Sequence, residues 1–456
     1  MMNSLFKFSL TLLLALCTLS AQAQTVRKIT NIDADWKFSL GDPADAQNPS
    51  FNDASWRKLN VPHDWSIEGT PDEEAPSGSG GGFMPTGIGW YRKNLVIPAS
   101  ESGKRIFIEF EGVMANSDVW INGKHLGKRP FGYSTFEYEL TGKVTFGPSK
   151  PNVIAVRVDN SVQPASRWYT GCGIYRHVFL TTVNPLHFEK WGVFITTPEI
   201  TPSQATVSVQ ATVVNQSGES GQLTVQTVLT SPDGKTFKSE STPVTVAAGD
   251  TATCTQTIKV ASPMLWDLEN PNLYQAMTTL SSGKKVVDDM PNRIGIREAR
   301  FTSEAGFHLN GKNMKLKGVC LHHDGGPVGT AVPLEVWRRR LEILKSIGAN
   351  AIRTSHNPMD PPFYRLCDEM GFLVMDETFD TWTAAKPRGE KGYNLYFDEW
   401  WDEDTRAMIM RDRNHPSIIM YSVGNEIRDN LNSPKGREDF LQQRDLIKKL
   451  DPTRPI

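Results

Sequence analysis

The sequence predicts two β-rich domains followed by the opening half of a parallel α/β barrel. Three observations carry that prediction. Up to about residue 297, short segments of alternating apolar and polar residues recur with turn residues between them. From about residue 298 the pattern changes to strand then helix, four times over. Each strand of this last region ends in polar residues, as barrel strands do where a site is assembled from several of them.

The chain has 456 residues and a formal net charge of -2. That length suggests about three domains. The charge balance argues against a nucleic-acid partner, because no basic excess is present to neutralise phosphates. Residues 1–23 read as a secretory signal. Lys7 gives the positive start, Leu10 to Leu19 the apolar run, and Ala21, Gln22 and Ala23 a small-x-small cleavage site. The run is too short to span a bilayer comfortably, and no other segment is suited to it. The mature chain is therefore expected to be secreted or periplasmic, with no membrane partner once the signal is removed. Cys17 invites lipidation, but Leu16 is bulky where a small residue is expected. Cys172, Cys254, Cys320 and Cys367 are scattered and form no Cys-x-x-Cys pair, which fits neither a disulfide scaffold nor a zinc site.

Residues 24–184 read as all-β. Arg105 to Phe110 and Val153 to Val158 alternate with period two, and Asn122-Gly123, flanked by Val119, Trp120, Ile121 and by His125, Leu126, marks a hairpin. Pro71 to Gly82, rich in Gly, Ser and acid, reads as a mobile surface loop. Its Gly-x-Gly pattern neither follows a strand nor opens a helix, so it carries no phosphate-binding reading. Residues 185–297 shift to alternating Val, Thr and Ser, as in Thr206 to Val213, and several such strands suggest an immunoglobulin-like β-sandwich. No site is assigned to this region.

Residues 298–456 supply the strand–helix units. Met314 to His322 reads as the first strand. Pro333 opens a helix whose Leu334, Trp337, Leu341 and Leu344 share a face. Asn350 to Arg353 is the second strand, and Phe363, Leu366, Cys367 and Met370 mark a helix stopped by Gly371. Phe372 to Met375 is the third strand, and a helix around Phe397 to Arg411 follows. The apolar run from Ser417, ending in Gly424, Asn425 and Glu426, is the fourth, and a helix over Arg437 to Leu450 closes the series. The strands lead into His322, His323 and Asp324, into Arg353, Ser355 and His356, into Asp376 and Glu377, and into Asn425 and Glu426. A zinc site is the sharp alternative for the histidines. His322 and His323 are adjacent on a strand and point to opposite faces, which suits a single ion poorly.

Arg411, Asp412, Arg413, Asn414, His415 and Pro416 run into the fourth strand, and the segment through Glu426 resembles a signature of glycoside hydrolase family 2. A second match runs from Asn350 through Arg353, His356 and Pro358, with Cys367, Asp368 and Gly371 to Met375. Further pieces are Val61 to Trp65, Gly89 to Lys93, Phe110 to Val113, Val119 to Gly123, Arg167 to Tyr169 and Gly173 to Arg176, then Pro263 to Trp266 through Leu273 and Tyr274. The resemblance covers essentially everything after the signal. It implies that residues 24–184 form a sugar-binding-like jelly roll and that Glu426 is a general acid/base. It also implies that His322 and His356 contact sugar and that Asn425 binds the sugar 2-hydroxyl, a hydrogen bond that strengthens in the transition state. Loops near Ser166 to Tyr169 reach toward the active site in relatives, which makes Trp168 a further substrate-contact candidate.

The implied chemistry needs a protonated Glu426, its pKa raised by burial or a negative neighbour. It also needs a second carboxylate about 5 Å away as nucleophile. The resemblance places that nucleophile on a later strand, beyond Ile456, and reads Glu377 as structural, so the chain as given is expected to be inactive alone. Asn357 stands where relatives commonly have Tyr, and Tyr421 where they commonly have Trp. Asp380, Thr381 and Trp382 stand where magnesium-binding members have an acid and a His, so no metal and no cofactor is assigned. The expected function is a retaining exo-β-glycosidase acting on terminal β-galactosides. β-Glucuronidase and β-mannosidase members share these motifs, and a non-catalytic carbohydrate-binding protein is the rival of another class. The expected partner is a glycoside, and assembly into a homo-oligomer is compatible with the sequence.

Overall fold

The computed structural model describes residues 26–456, and the signal-like stretch 1–23 lies outside them. Two antiparallel sheets form the jelly roll. One runs Lys28–Asn31, Val178–Val183, Arg105–Phe110, Phe136–Glu139. The other runs Arg57–Leu59, Trp36–Leu40, Ile88–Leu95, Asn152–Asp159, Ser117–Ile121, Lys124–Arg129. Alternation does the sorting: Ile106, Ile108 and Phe110 of one sheet and Val119, Ile121, Val156 and Val158 of the other point into a shared core. Asn122 and Gly123 turn the predicted hairpin with φ of 51° and 78°, the positive pair that matches the twist of the strands they join.

The Pro71–Gly82 stretch is not the free loop expected of its composition. The amides of Ala75, Gly78 and Phe83 bond back to the carbonyls of Asp72, Ala75 and Gly78, and Ser77 is buried with its hydroxyl donating to the Met84 carbonyl at 2.8 Å. A Cβ on Gly80 would meet the Ser166 carbonyl at 2.9 Å. Glycine here allows close backbone approach to the 166–171 loop.

The Val- and Thr-rich region forms the immunoglobulin-like sandwich. Leu186–Ile200, Gln204–Asn215 and Thr251–Ala261 make one sheet, and Thr236–Lys238, Gly221–Thr230, Tyr274–Ser282 and Lys285–Ile294 the other, with Thr242–Val246 also paired to Gly221–Thr230. A small three-stranded meander, Ala299–Thr302, Gly306–Leu309 and Lys312–Asn313, leads into the barrel region.

Four parallel strands follow in chain order: β1 (Gly318–Leu321), β2 (Ala351–Thr354), β3 (Leu373–Glu377) and β4 (Ile418–Ser422). Between and after them run α1 (Leu334–Ser346), α2 (Pro361–Met370), α3 (Phe397–Asp412) and α4 (Pro434–Leu450). β1 is shorter than the predicted 314–322, because Met314 packs instead on Trp266, Phe307 and Leu309. Trp337 and Leu341 of α1 are buried, but Leu334 is 41% exposed, so the apolar face starts a turn later than predicted. Gly371 ends α2 with φ +68°, and its missing side chain lets the Leu268 carbonyl pack against it.

The barrel region shares its apolar clusters with both β units. Met114, Ala115, Phe131, Tyr133 and Tyr175 of the jelly roll join Trp337, Phe363, Phe379, Trp382 and Tyr421 in one continuous cluster. On the opposite side Trp266 of the sandwich packs with Phe307, Leu309, Leu373 and Ile419. Among the described residues, no helix is long and apolar enough to cross a membrane.

Candidate active site

The carboxyl ends of the four strands converge with one loop of the jelly roll. His322 follows β1, His356 follows β2, and Trp168 reaches over from the jelly roll. Their rings form a cluster, with centroids 4.8 Å apart for Trp168–His322, 5.6 Å for Trp168–His356 and 5.6 Å for His322–His356. The Trp168 indole is fixed by donating to the Tyr133 hydroxyl at 3.2 Å. Nδ1 of both His322 and His356 is buried without a hydrogen-bond partner. Burial, and then the neighbouring His356, holds the His322 imidazole below its ordinary pKa, so it is neutral at pH 7. A neutral ring offers one donor and one acceptor, which suits a hydroxyl-bearing ligand.

His323 faces the other way. It packs against Tyr133 and Tyr175 at 4.9 and 5.7 Å, and Nε2 lies 3.1 Å from the Thr170 carbonyl. Burial takes its pKa down to about 3. The adjacent histidines thus separate as strand alternation requires, one into the site and one into the joint with the jelly roll.

The carboxylates behind the ring cluster are heavily bonded. The Glu377 side chain is fully buried and accepts from Arg353 Nε at 2.7 Å and Nη2 at 2.9 Å, and His356 Nδ1 lies 3.3 Å from Oε1, the oxygen that Nη2 also reaches. Asn425 is committed inward at both ends of its amide: Oδ1 accepts from Arg353 at 3.0 Å and Nδ2 donates to Asp380 at 2.8 Å. One N–H and one lone pair are left for a ligand, fewer than its assignment as a sugar contact presumed. Asp380 also accepts from Arg167 and from Lys386, each at 2.9 Å. Burial pushes its carboxyl up, but the donors Asn425, Lys386 and Arg167 outweigh it and hold the group below the usual carboxylate range.

Glu426 lies beyond the end of β4, at φ +43°, a conformation uncommon for a residue with a side chain and found where a site holds strain. Its side chain is 70% exposed and bonds to Arg167 at 3.0 Å. That hydrogen bond and the guanidinium charge hold the carboxyl below its ordinary pKa. This corrects the expectation of a raised pKa. The backbone turns the carboxyl outward, so desolvation is minor, and the nearest charge is a cation.

Asp380, Thr381 and Trp382, the positions at which the resemblance raised the question of a metal, do not fit an ion here. Oδ1 of Asp380 is taken by three donors, and the Trp382 indole is buried and donates to the Val423 carbonyl at 2.7 Å. A cleft opens between the jelly roll and the loop after β3, lined by Phe131, Tyr133, Trp168, His356, Asp380 and Tyr393 among others.

The structure thus brings Trp168, His322 and His356 together, with Asn425 and Glu426 on the adjoining wall. Sequence reasoning missed the roles of Arg167, Asp380 and Lys386. Arg167 was visible only as part of a matched motif, and Lys386 sits in a loop without periodicity. Nothing local signals that Arg167 meets residues more than 200 positions away, or that Lys386 reaches the Asn425 carbonyl 39 positions on.

Three family profiles tile the chain. The profile described as Glycosyl hydrolases family 2, sugar binding domain, matches residues 29–184, and Glycosyl hydrolases family 2 matches 189–297. Glycosyl hydrolases family 2, TIM barrel domain, matches 302–456. Beta-galactosidase BoGH2A of Bacteroides ovatus is 43% identical over 428 residues, which are 94% of this chain and 50% of that protein. A crystal structure of a glycosyl hydrolase family 2 member from Bacteroides cellulosilyticus superposes with a TM-score of 0.90 at 41% identity, covering 94% of this chain and 55% of the other. The structure of a Bacteroides uniformis beta-glucuronidase gives 0.80 at 31%, with 94% and 52% covered. The chain spans about half the length of the relatives it matches.

Proposed function

The chain belongs to glycoside hydrolase family 2, and on that premise we propose that the full-length gene product is a retaining exo-β-glycosidase with Glu426 as its general acid/base. The observation that carries the reading is the convergence of an aromatic face, two imidazole rings and strand-end carboxylates in one place. Trp168 offers a flat face to a sugar ring, and the His322 and His356 rings beside it offer nitrogen donors or acceptors to its hydroxyls. Asn425 is the sugar 2-hydroxyl contact through its remaining N–H. Glu377, clamped by Arg353, acts as the buried anion that orients Arg353 and His356, and the nucleophile is the glutamate of a later strand that the family resemblance implies.

Terminal β-galactosides are the proposed substrates, supported by the 43% likeness to a protein named as a beta-galactosidase. A β-glucuronide is the second reading, supported by the likeness at 31% to a beta-glucuronidase. Export from the cytoplasm belongs to the same proposal, supported by the apolar run Leu10 to Leu19 and the Ala21, Gln22, Ala23 site.

The test compares nitrophenyl β-galactoside and nitrophenyl β-glucuronide as substrates, with Glu426→Gln beside the unaltered protein. Loss of the acid/base is expected to slow hydrolysis of lactose by about 10²- to 10⁴-fold. Nitrophenyl substrates, whose leaving groups need little protonation, lose less, and azide restores part of the second step. An unchanged rate on lactose removes Glu426 from the mechanism.

A further inference from the structure

Oδ1 of Asp380 accepts from donors on three separate segments: Asn425 Nδ2 at 2.8 Å, Lys386 Nζ at 2.9 Å and Arg167 Nη2 at 2.9 Å. The Lys386 side chain is buried, and its ammonium also donates to the Asp380 carbonyl at 2.6 Å and the Asn425 carbonyl at 2.5 Å. Arg167 crosses from the jelly roll and spends its other terminal nitrogen on Glu426 at 3.0 Å. Two cations, Lys386 and Arg167, and one carboxylate, Asp380, leave a surplus of one positive charge behind Glu426. A divalent ion held by an acidic residue at this place would leave the same surplus, and here the donor set that would hold such an ion is already spent on side-chain cations.

We infer that Arg167, braced by Asp380 and Lys386, is the positioning residue for Glu426, and that these two side-chain cations fill a place the chain does not give to a metal ion. The inference rests on the acid/base reading of Glu426. Its physical content is a charge-assisted hydrogen bond that fixes one carboxyl oxygen and favours the ionised form. That state suits the base that activates water in the second half of a retaining reaction. Protonation for the first half requires the Arg167 bond to open, and a long side chain 30% exposed has room to swing. The groups facing Glu426 are Arg167 from the jelly roll and Lys386 and Asp380 from the loop after β3. On its own segment, Asp429 is turned to the amides of Thr383 and Ala384. Glu377, Arg353 and His356 form a separate bonded set behind it.

The experiment titrates the Glu426 carboxyl by ¹³C NMR in glutamate-labelled full-length protein, assigned by the signal lost in Glu426→Gln. Arg167→Gln is expected to move the midpoint upward. Arg167→Lys, which keeps the charge but cannot bridge Asp380 and Glu426 with a planar fork, is expected to fall between the two. Added magnesium or a chelator is expected to leave the unaltered protein's midpoint where it is. An unmoved midpoint in both Arg167 variants overturns the inference, and so does a midpoint that magnesium lowers in the unaltered protein. Because the titration needs no turnover, a protein that fails to hydrolyse glycosides defeats the proposed function without deciding this result, and the reverse also holds.

Discussion

The jelly roll and the sandwich are both antiparallel β units packed on the same barrel strands, and they meet those strands at opposite ends. At the jelly-roll joint many contacts run from side chain to side chain. Arg129 bonds Asp404 at 2.6 Å, Thr330 donates to Asp64 at 2.9 Å, and Arg167 reaches Asp380 and Glu426. At the sandwich joint polar side chains mostly grip backbone carbonyls. The Arg297 guanidinium donates to the Pro416 and Ile418 carbonyls, Arg413 to that of Trp191, and the Trp266 indole to that of Asp368 at 2.8 Å. The first joint lies at the carboxyl ends of the strands, where barrels place chemistry, and the second at the amino ends, where they place stability. A carbonyl carries no titratable charge, so a contact made on a carbonyl responds to pH only through its donor. A joint built on side chains can tune a neighbouring group and is itself tunable.

The largest effect expected from this contrast is at the sandwich joint. Trp266 is fully buried, so Trp266→Ala should cost about 3–5 kcal/mol of stability in a urea melt. The Glu426 titration of the surviving folded protein should stay where it was. A midpoint that moved with Trp266 would show that the two joints are not independent.

The next prediction concerns pH at the jelly-roll joint. His323 has a folded pKa of about 3, below the ordinary histidine value, so the unfolded chain binds more protons between the two. Its contribution is fully present above about pH 6.5 and is lost as the pH falls toward 3. Between pH 7 and pH 5 this amounts to about 2 kcal/mol. Urea melts at the two pH values should show that difference shrinking in His323→Phe, and an equal slope in both proteins would mean that other groups carry the acid sensitivity.

The smallest effect should come from Arg293, which pairs with Glu369 at 2.7 Å across the sandwich joint with both side chains about a third exposed. Arg293→Ala is expected to change stability by less than about 1 kcal/mol. A larger loss would mean that exposed ion pairs, and not the carbonyl grips, hold that joint.

Much of this was legible in the sequence because strand ends are local. The position of Glu426 after an apolar run, and of His322 and His356 after two others, follows from periodicity alone, and the hairpin at Asn122 and Gly123 from two residues. What was not legible is what depends on distance. Arg167 is 259 positions from Glu426, and no pattern around either predicts the bond that reverses the expected direction of the Glu426 pKa. The Pro71–Gly82 stretch failed for a related reason: Gly80 looks like slack until the 166–171 loop is seen lying against it.

The shared cluster that joins Met114, Phe131, Tyr133 and Tyr175 to Trp337, Phe363 and Phe379 also has a consequence in time. The jelly-roll half of that cluster leaves the ribosome on the order of 200 residues before its partners, which at roughly 5–20 residues per second is a delay of about 10–40 s. A jelly roll that folds within that interval presents an aromatic patch with nothing to cover it. The nascent chain is therefore sticky midway through its own synthesis, at a surface that the finished protein hides, and a chaperone that shields aromatic patches should engage it in that window and release it once α2 and β3 have been made.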